Sequence, residues 1–128
     1  MSLTNVLLVG AGGFLGSIAR YLTVLGVDKR LNSVMPLGTL TVNIVGSLVL
    51  GFILAFVMKK TGAYLDEWKL FIGTGFCGGF TTFSAFAAEN LSLFEHKFPG
   101  TAFLYIILSL VAGLLAVWLG FALAKSFI

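Results

Sequence analysis

Charged residues divide this chain into long apolar blocks. Met1 to Ala19 carries none, Leu37 to Met58 is 22 residues without one, Leu70 to Ala88 is 19, and Phe98 to Ala124 is 27. A hydrocarbon core of about 30 Å needs roughly 20 apolar residues as α-helix. The pattern therefore predicts an all-α membrane protein with four spans, near 3–26, 37–58, 69–94 and 99–125. The connections VDKRLNSVMP, KKTGAYLDEW and EHKFP are short. Pro36 and Pro99 stand where helices begin, which suits a ring that lacks an N–H. No stretch is long or polar enough for a soluble domain, so residues 1–128 are expected to form a single four-span domain.

Composition agrees. Of 128 residues, 59% are apolar and 10% charged, and the mean hydropathy is +1.06. A soluble domain has about a quarter of its residues charged, so an ordinary cytosolic enzyme and a disordered segment are excluded. The net charge of +3 rests on scattered residues and makes no phosphate-tracking patch, so no nucleic-acid partner is expected. The single cysteine, Cys77, permits no internal disulfide, and no Cys/His cluster suggests zinc. The first segment lacks a basic n-region and outruns a signal-peptide core, so it reads as a retained span. Gly10-Ala11-Gly12-Gly13-Phe14-Leu15-Gly16 imitates a dinucleotide fingerprint, but that mechanism needs a strand–turn–helix in an α/β sheet.

Small residues suggest tight helix packing instead. Gly12 and Gly16, Ser47 and Gly51, Gly75 and Gly79, and Ala112, Ala116 and Gly120 are each spaced four apart. In lipid, close van der Waals contact is the main force joining helices. Four spans enclose little interior, so a homo-oligomer is expected. The basic residues are nearly balanced across the membrane: Lys59, Lys60, Lys69 and Lys125 on the side of the termini, and Lys29, Arg30 and Lys97 opposite, with Arg20 nearer the latter. Orientation follows lysine and arginine asymmetry, so near balance points to insertion both ways and antiparallel pairing.

Polar groups inside the spans mark candidate chemistry, because each costs free energy in hydrocarbon. Arg20 reads either as a side chain snorkelling to a headgroup or as a positive charge at the mouth of a vestibule that draws anions. Asn43, in the middle of the second span, reads as a packing hydrogen bond or as a partial replacement for an ion's hydration shell. Glu89 closes the third span, as a solvated helix end or as a functional carboxylate. In the third span, 73–86, Gly78-Gly79 followed by Thr81-Thr82 is a poor helix interior. A break near the middle frees backbone carbonyls that suit a hard cation such as sodium. Phe76, Phe80 and Phe83 form a helical stripe, apolar by default, yet ring edges directed into a narrow path favour an anion. Thr82, Ser84, Tyr105 and Ser109 join Asn43 as a possible hydrogen-bonding track for a small, strongly hydrated anion.

These residues resemble a known family. Gly-Thr-Leu-x-Val-Asn at 38–43, Gly-x-Cys-Gly-Gly-x-Thr-Thr-Phe-Ser-x-Phe at 75–86 and Gly-Ser-x-x-Arg at 16–20 are similar to the fluoride channels called Fluc or CrcB. The resemblance covers the whole chain. It implies an antiparallel dual-topology homodimer in the inner membrane, with two pores that leak fluoride from the cytoplasm and relieve its toxicity. It also implies that Phe83 and Phe86 line the pore with Asn43 beside the path. The backbone carbonyls of Gly78 and Thr81 from both subunits would hold a structural sodium ion. Arg20 would stand in the vestibule, Glu89 would follow the phenylalanines, and Tyr105 and Ser109 would supply hydroxyls. Ala85, Ala87 and Gly113 depart from the hydroxyl residues often found there, which bears on the polar track.

Two other functions compete. A small dual-topology proton-coupled exporter needs a membrane-embedded carboxylate, and the first, second and fourth spans hold no acid within their charge-free blocks. A non-catalytic assembly subunit would use the glycines for packing, but packing does not require Asn43 beside a Phe–Thr–Phe cluster.

Overall fold

The computed structural model describes residues 2–59 and 63–128. Lys60, one of the basic residues in the orientation tally, lies outside them. Every regular element among the described residues is a helix. Helix α1 is Leu3–Leu31 and α2 is Leu37–Lys59. The third span starts as α-helix, Ala63–Trp68, continues as π-helix, Lys69–Cys77, and ends in one α-helical turn, Gly78–Phe80; this first half, 63–80, is α3. The second half, α4, is Phe83–Glu95, and α5 is Pro99–Lys125. Four stretches, Leu3–Leu31, Leu37–Lys59, Tyr64–Glu95 and Pro99–Lys125, are long and apolar enough to cross a membrane.

The first span is longer than the charge pattern predicts. It runs through Asp28, Lys29 and Arg30 and stops only where Asn32 turns left-handed at φ 43°, its N–H donating to the Asp28 carbonyl at 2.9 Å. Lys29 and Arg30 occupy the last turn, where positive charge complements the helix dipole. The third span likewise starts earlier, because its first turn carries Asp66 at an N-terminus that favours an acid. Pro99 sits in the first turn of α5, as predicted.

Glycines decide which helices meet. Gly12 and Gly16 are buried, and a Cβ on either would collide with the carbonyl of Phe71 or of Phe76. That contact seats α1 against α3 at backbone distance. On the other side of the protein, a Cβ on Gly51 would strike the Val117 carbonyl and one on Gly120 the Leu48 carbonyl, which fixes α2 to α5. The small-residue spacing thus becomes two tight helix pairs, α1 with α3 and α2 with α5, and α2 also touches α1 and α3.

The break in the third span lies at the threonines and spares the glycines. Gly78 keeps helical angles, φ −62° and ψ −37°, whereas Thr81 and Thr82 are extended, with ψ 160° and ψ 124°. Two consecutive β-branched residues favour extended backbone over helix, and the glycines are used for contact with α1. Gly79 lies so close to Gly13 that a Cβ would sit 2.5 Å from its carbonyl oxygen. The break also divides the phenylalanine stripe. Phe76 and Phe80 stack at 5.6 Å and Phe80 is buried, while Phe83 leaves the stripe and is 78% exposed.

Candidate functional site

Interrupting a helix at membrane depth leaves backbone groups that must find partners inside the protein. Side chains from α1 and α2 supply them. Asn43 of α2 accepts the Thr82 N–H on Oδ1 at 2.8 Å and donates from Nδ2 to the Thr82 carbonyl at 3.0 Å. Arg20 of α1 donates from Nη1 to the Thr81 carbonyl at 3.3 Å. Gly46 makes room for this arrangement, since a Cβ there would run into the Thr81 methyl group. Thr82 caps the second half by accepting the Ala85 N–H on Oγ1 at 3.1 Å, and its hydroxyl lies 3.3 Å from the Ser84 hydroxyl.

Asn43 therefore serves first as the clasp of the break, which favours its packing reading. It also lines a cavity of about 410 Å³. Gly78, Thr81, Thr82, Phe83, Phe86 and Ser109 face the same space. The two phenyl rings are 5.7 Å apart and tilted by 46°. The Ser109 hydroxyl is buried without a hydrogen-bond partner among the described residues. Hydroxyl protons and ring edges are both donor groups that suit an anion.

A second cavity of about 530 Å³ lies on the other side of Thr82, which lines both. Arg20, Asp28, Lys29, Thr39 and Glu89 line it. Arg20 is half-buried there, so it is not simply snorkelling to a headgroup. Glu89 is in the middle of α4 and does not close the span, because the helix continues for six residues to Glu95. Both its oxygens are occupied: Thr39 Oγ1 donates to Oε1 at 2.6 Å and Tyr105 O–H donates to Oε2 at 2.8 Å. Tyr105 is fully buried, with the Phe86 ring against it at 5.1 Å and 61°.

Among the described residues, the polar groups thus form two short strings and no continuous hydrogen-bonded track. One is Asn43–Thr82–Ser84 and the other Thr39–Glu89–Tyr105, with the Phe86 ring between them. Ser109 belongs to neither. Ala85 and Gly113 each line one of the cavities, where a hydroxyl would have extended the strings. Thr39, which donates to Glu89, is the site residue that sequence reasoning missed. Its signal was present, four residues before Asn43 on the same helical face.

The break fits a hard cation in part of its donor set. Thr82 gives its N–H to Asn43, so the Gly78 carbonyl loses the donor four residues ahead of it. The Thr81 carbonyl already accepts from Arg20 and keeps a second lone pair. Neutral oxygens of this kind suit a hard, weakly held ion. No group of three or more His, Cys, Asp or Glu converges among the described residues, so a soft metal has no ligand set there.

Four membrane-length helices, one broken between two cavities, define a small multi-pass membrane protein whose buried polar side chains gather at the interruption. Residues 7–121 match the family described as CrcB-like protein, Camphor Resistance (CrcB), and the chain belongs to that family. A fluoride-specific ion channel FluC of Rhizobium meliloti (strain 1021) is 43% identical over 126 residues, 98% of this chain and 100% of that one. Proteins of the same name from Flavobacterium psychrophilum and Chlorobium chlorochromatii are 41% and 44% identical, over 95% and 94% of this chain and 98% and 92% of their own.

Proposed function

We propose that this protein is a fluoride-selective channel that lets fluoride leave the cytoplasm down its gradient across the inner membrane. The observation that carries this is the cavity at the break, lined by Phe83, Phe86 and Ser109. Fluoride is small and strongly hydrated. A passage must replace its water with donors, and ring edges and hydroxyls do so without the deep binding that a fixed charge would impose. The name carried by the 38–44% identical relatives supports the same ion.

An anion arriving from solution enters the charged cavity past exposed Lys29 and then meets half-buried Arg20. It then faces hydroxyls held by a carboxylate. Thr39 and Tyr105 both donate their single O–H to Glu89, so either hydroxyl must release the carboxylate before it can donate to an anion. Beyond lie the Phe86 and Phe83 rings and Ser109. Asn43 and Arg20 keep the broken backbone from competing for the ion by satisfying it themselves. The paired state of Glu89 argues against an exporter, whose carboxylate must exchange protons with substrate.

A second copy of the chain, inverted, completes the passage. Phe83 and its neighbour Ser84 are exposed on the protomer although they belong to a membrane span. A hydroxyl facing acyl chains is costly, and a partner protomer would cover both residues. The near balance of basic residues supports antiparallel pairing. At that junction the Gly78 and Thr81 carbonyls of both copies would hold a sodium ion, whose positive charge lowers the barrier to a nearby anion.

The test is efflux from liposomes loaded with fluoride or chloride, with potassium permeability supplied and no proton gradient. Rapid loss of fluoride and retention of chloride are expected. Fluoride movement that strictly requires a proton gradient would overturn the channel reading in favour of an exporter.

A further inference from the structure

The charged cavity contains an acid that the anion path does not need. Its charged lining groups are Arg20, Lys29, Asp28 and Glu89, two of each sign. Glu89 is committed to Thr39 and Tyr105 deeper in the protein. Asp28 is exposed, near the C-terminal end of α1. Its Oδ1 accepts the Gly38 N–H at 2.8 Å, one of the free donors in the first turn of α2. The helices are close there: a Cβ on Gly38 would lie 2.8 Å from Asp28 Oδ1 and 2.9 Å from the Val24 backbone. A carboxylate suits a helix N-terminus, so the tie between α1 and α2 favours an acid while the anion path does not.

Resting on the channel reading, we propose that Asp28 is a rate-setting residue: its charge offsets Lys29 and Arg20 in the outer cavity and slows the approach of anions. The cap needs only the oxygen, not the charge. Asparagine keeps that oxygen and is nearly the same shape, so the two roles of Asp28 are separable. A unit charge near an exposed path acts through water and is screened within about 10 Å at 0.1 M salt. The effect is therefore modest and salt-dependent, on the order of two- to fivefold at low ionic strength.

The experiment measures fluoride efflux from liposomes at sub-saturating fluoride, at low and at high ionic strength, for wild type, Asp28→Asn and Lys29→Gln. Asp28→Asn is expected to raise the low-salt rate about two- to fivefold, with the gain lost at high salt. Lys29→Gln is expected to lower it by a similar factor. It provides no helix cap, so it reads the same field without disturbing the α1–α2 tie. An unchanged or reduced low-salt rate in Asp28→Asn, with unaltered thermal unfolding, overturns the proposal. So does an unchanged rate in Lys29→Gln. Wild-type protein that passes no fluoride overturns the channel reading itself, and this inference with it, before either variant is compared.

Discussion

Asn43 holds both backbone groups of Thr82 with one side-chain amide, Oδ1 to the N–H at 2.8 Å and Nδ2 to the carbonyl at 3.0 Å. The amide imitates a neighbouring strand for a single extended residue inside a helical protein. Neither bond has a substitute in hydrocarbon, where a buried polar group left unpaired costs free energy that water cannot return.

Replacing Asn43 by alanine leaves the Thr82 N–H and carbonyl without partners. Each unsatisfied buried group costs about 1–3 kcal/mol, so Asn43→Ala is expected to lower thermal stability in detergent clearly and to abolish fluoride flux. Unfolding temperature by tryptophan fluorescence checks the first part, and liposome efflux the second. A variant with wild-type stability would show that the clasp is dispensable.

The Thr39–Glu89–Tyr105 string makes a narrower prediction. Thr39→Val keeps the shape and removes the donor to Glu89 Oε1, while Tyr105→Phe removes the donor to Oε2. Each loses a hydrogen bond to a charged group, worth about 1.5–3 kcal/mol. Both should reduce fluoride flux at least tenfold with the oligomeric state, measured by light scattering, unchanged.

Much of this architecture was legible in the sequence. The charge-free blocks located four spans, and small residues four apart marked the helix faces that meet. The break was legible as the region Gly78-Gly79 with Thr81-Thr82, and the structure narrows it to the threonines. Both pairs looked weak by helix propensity, but α1 packs against Gly79 and the chain gives way at Thr81-Thr82. Tertiary contact overrode local preference. The end of α1 was hidden because charged residues within a helix's last turns do not end it. The two polar strings were hidden for another reason: a track presumes which side chains touch, and Phe86 lies between them.

Gly46 tests the space around the break. A Cβ there meets the Thr81 methyl group, so Gly46→Ala must displace the extended pair or α2. Overpacking of this kind costs about 1–3 kcal/mol. Gly46→Ala should lower both stability and flux, whereas Gly10→Ala, with open space around it, should alter neither. Thermal unfolding of the two variants side by side gives the answer.

Removal of sodium tests the carbonyls. If Gly78 and Thr81 of two copies hold the ion as proposed, replacing sodium by N-methylglucamine should shift the protein toward monomer in detergent and silence flux. Size-exclusion chromatography with light scattering reads the dimer fraction. A dimer indifferent to sodium would remove the ion from the junction.

The most direct measurement compares fluoride efflux from liposomes containing wild-type, Phe83→Ile or Phe86→Ile protein, with no proton gradient and dimer content checked in each preparation. Wild type should empty its vesicles within seconds, and each isoleucine variant should fall by at least a hundredfold while remaining dimeric. Full-rate efflux through both variants would place the ion's route elsewhere and contradict the passage assigned to the broken helix.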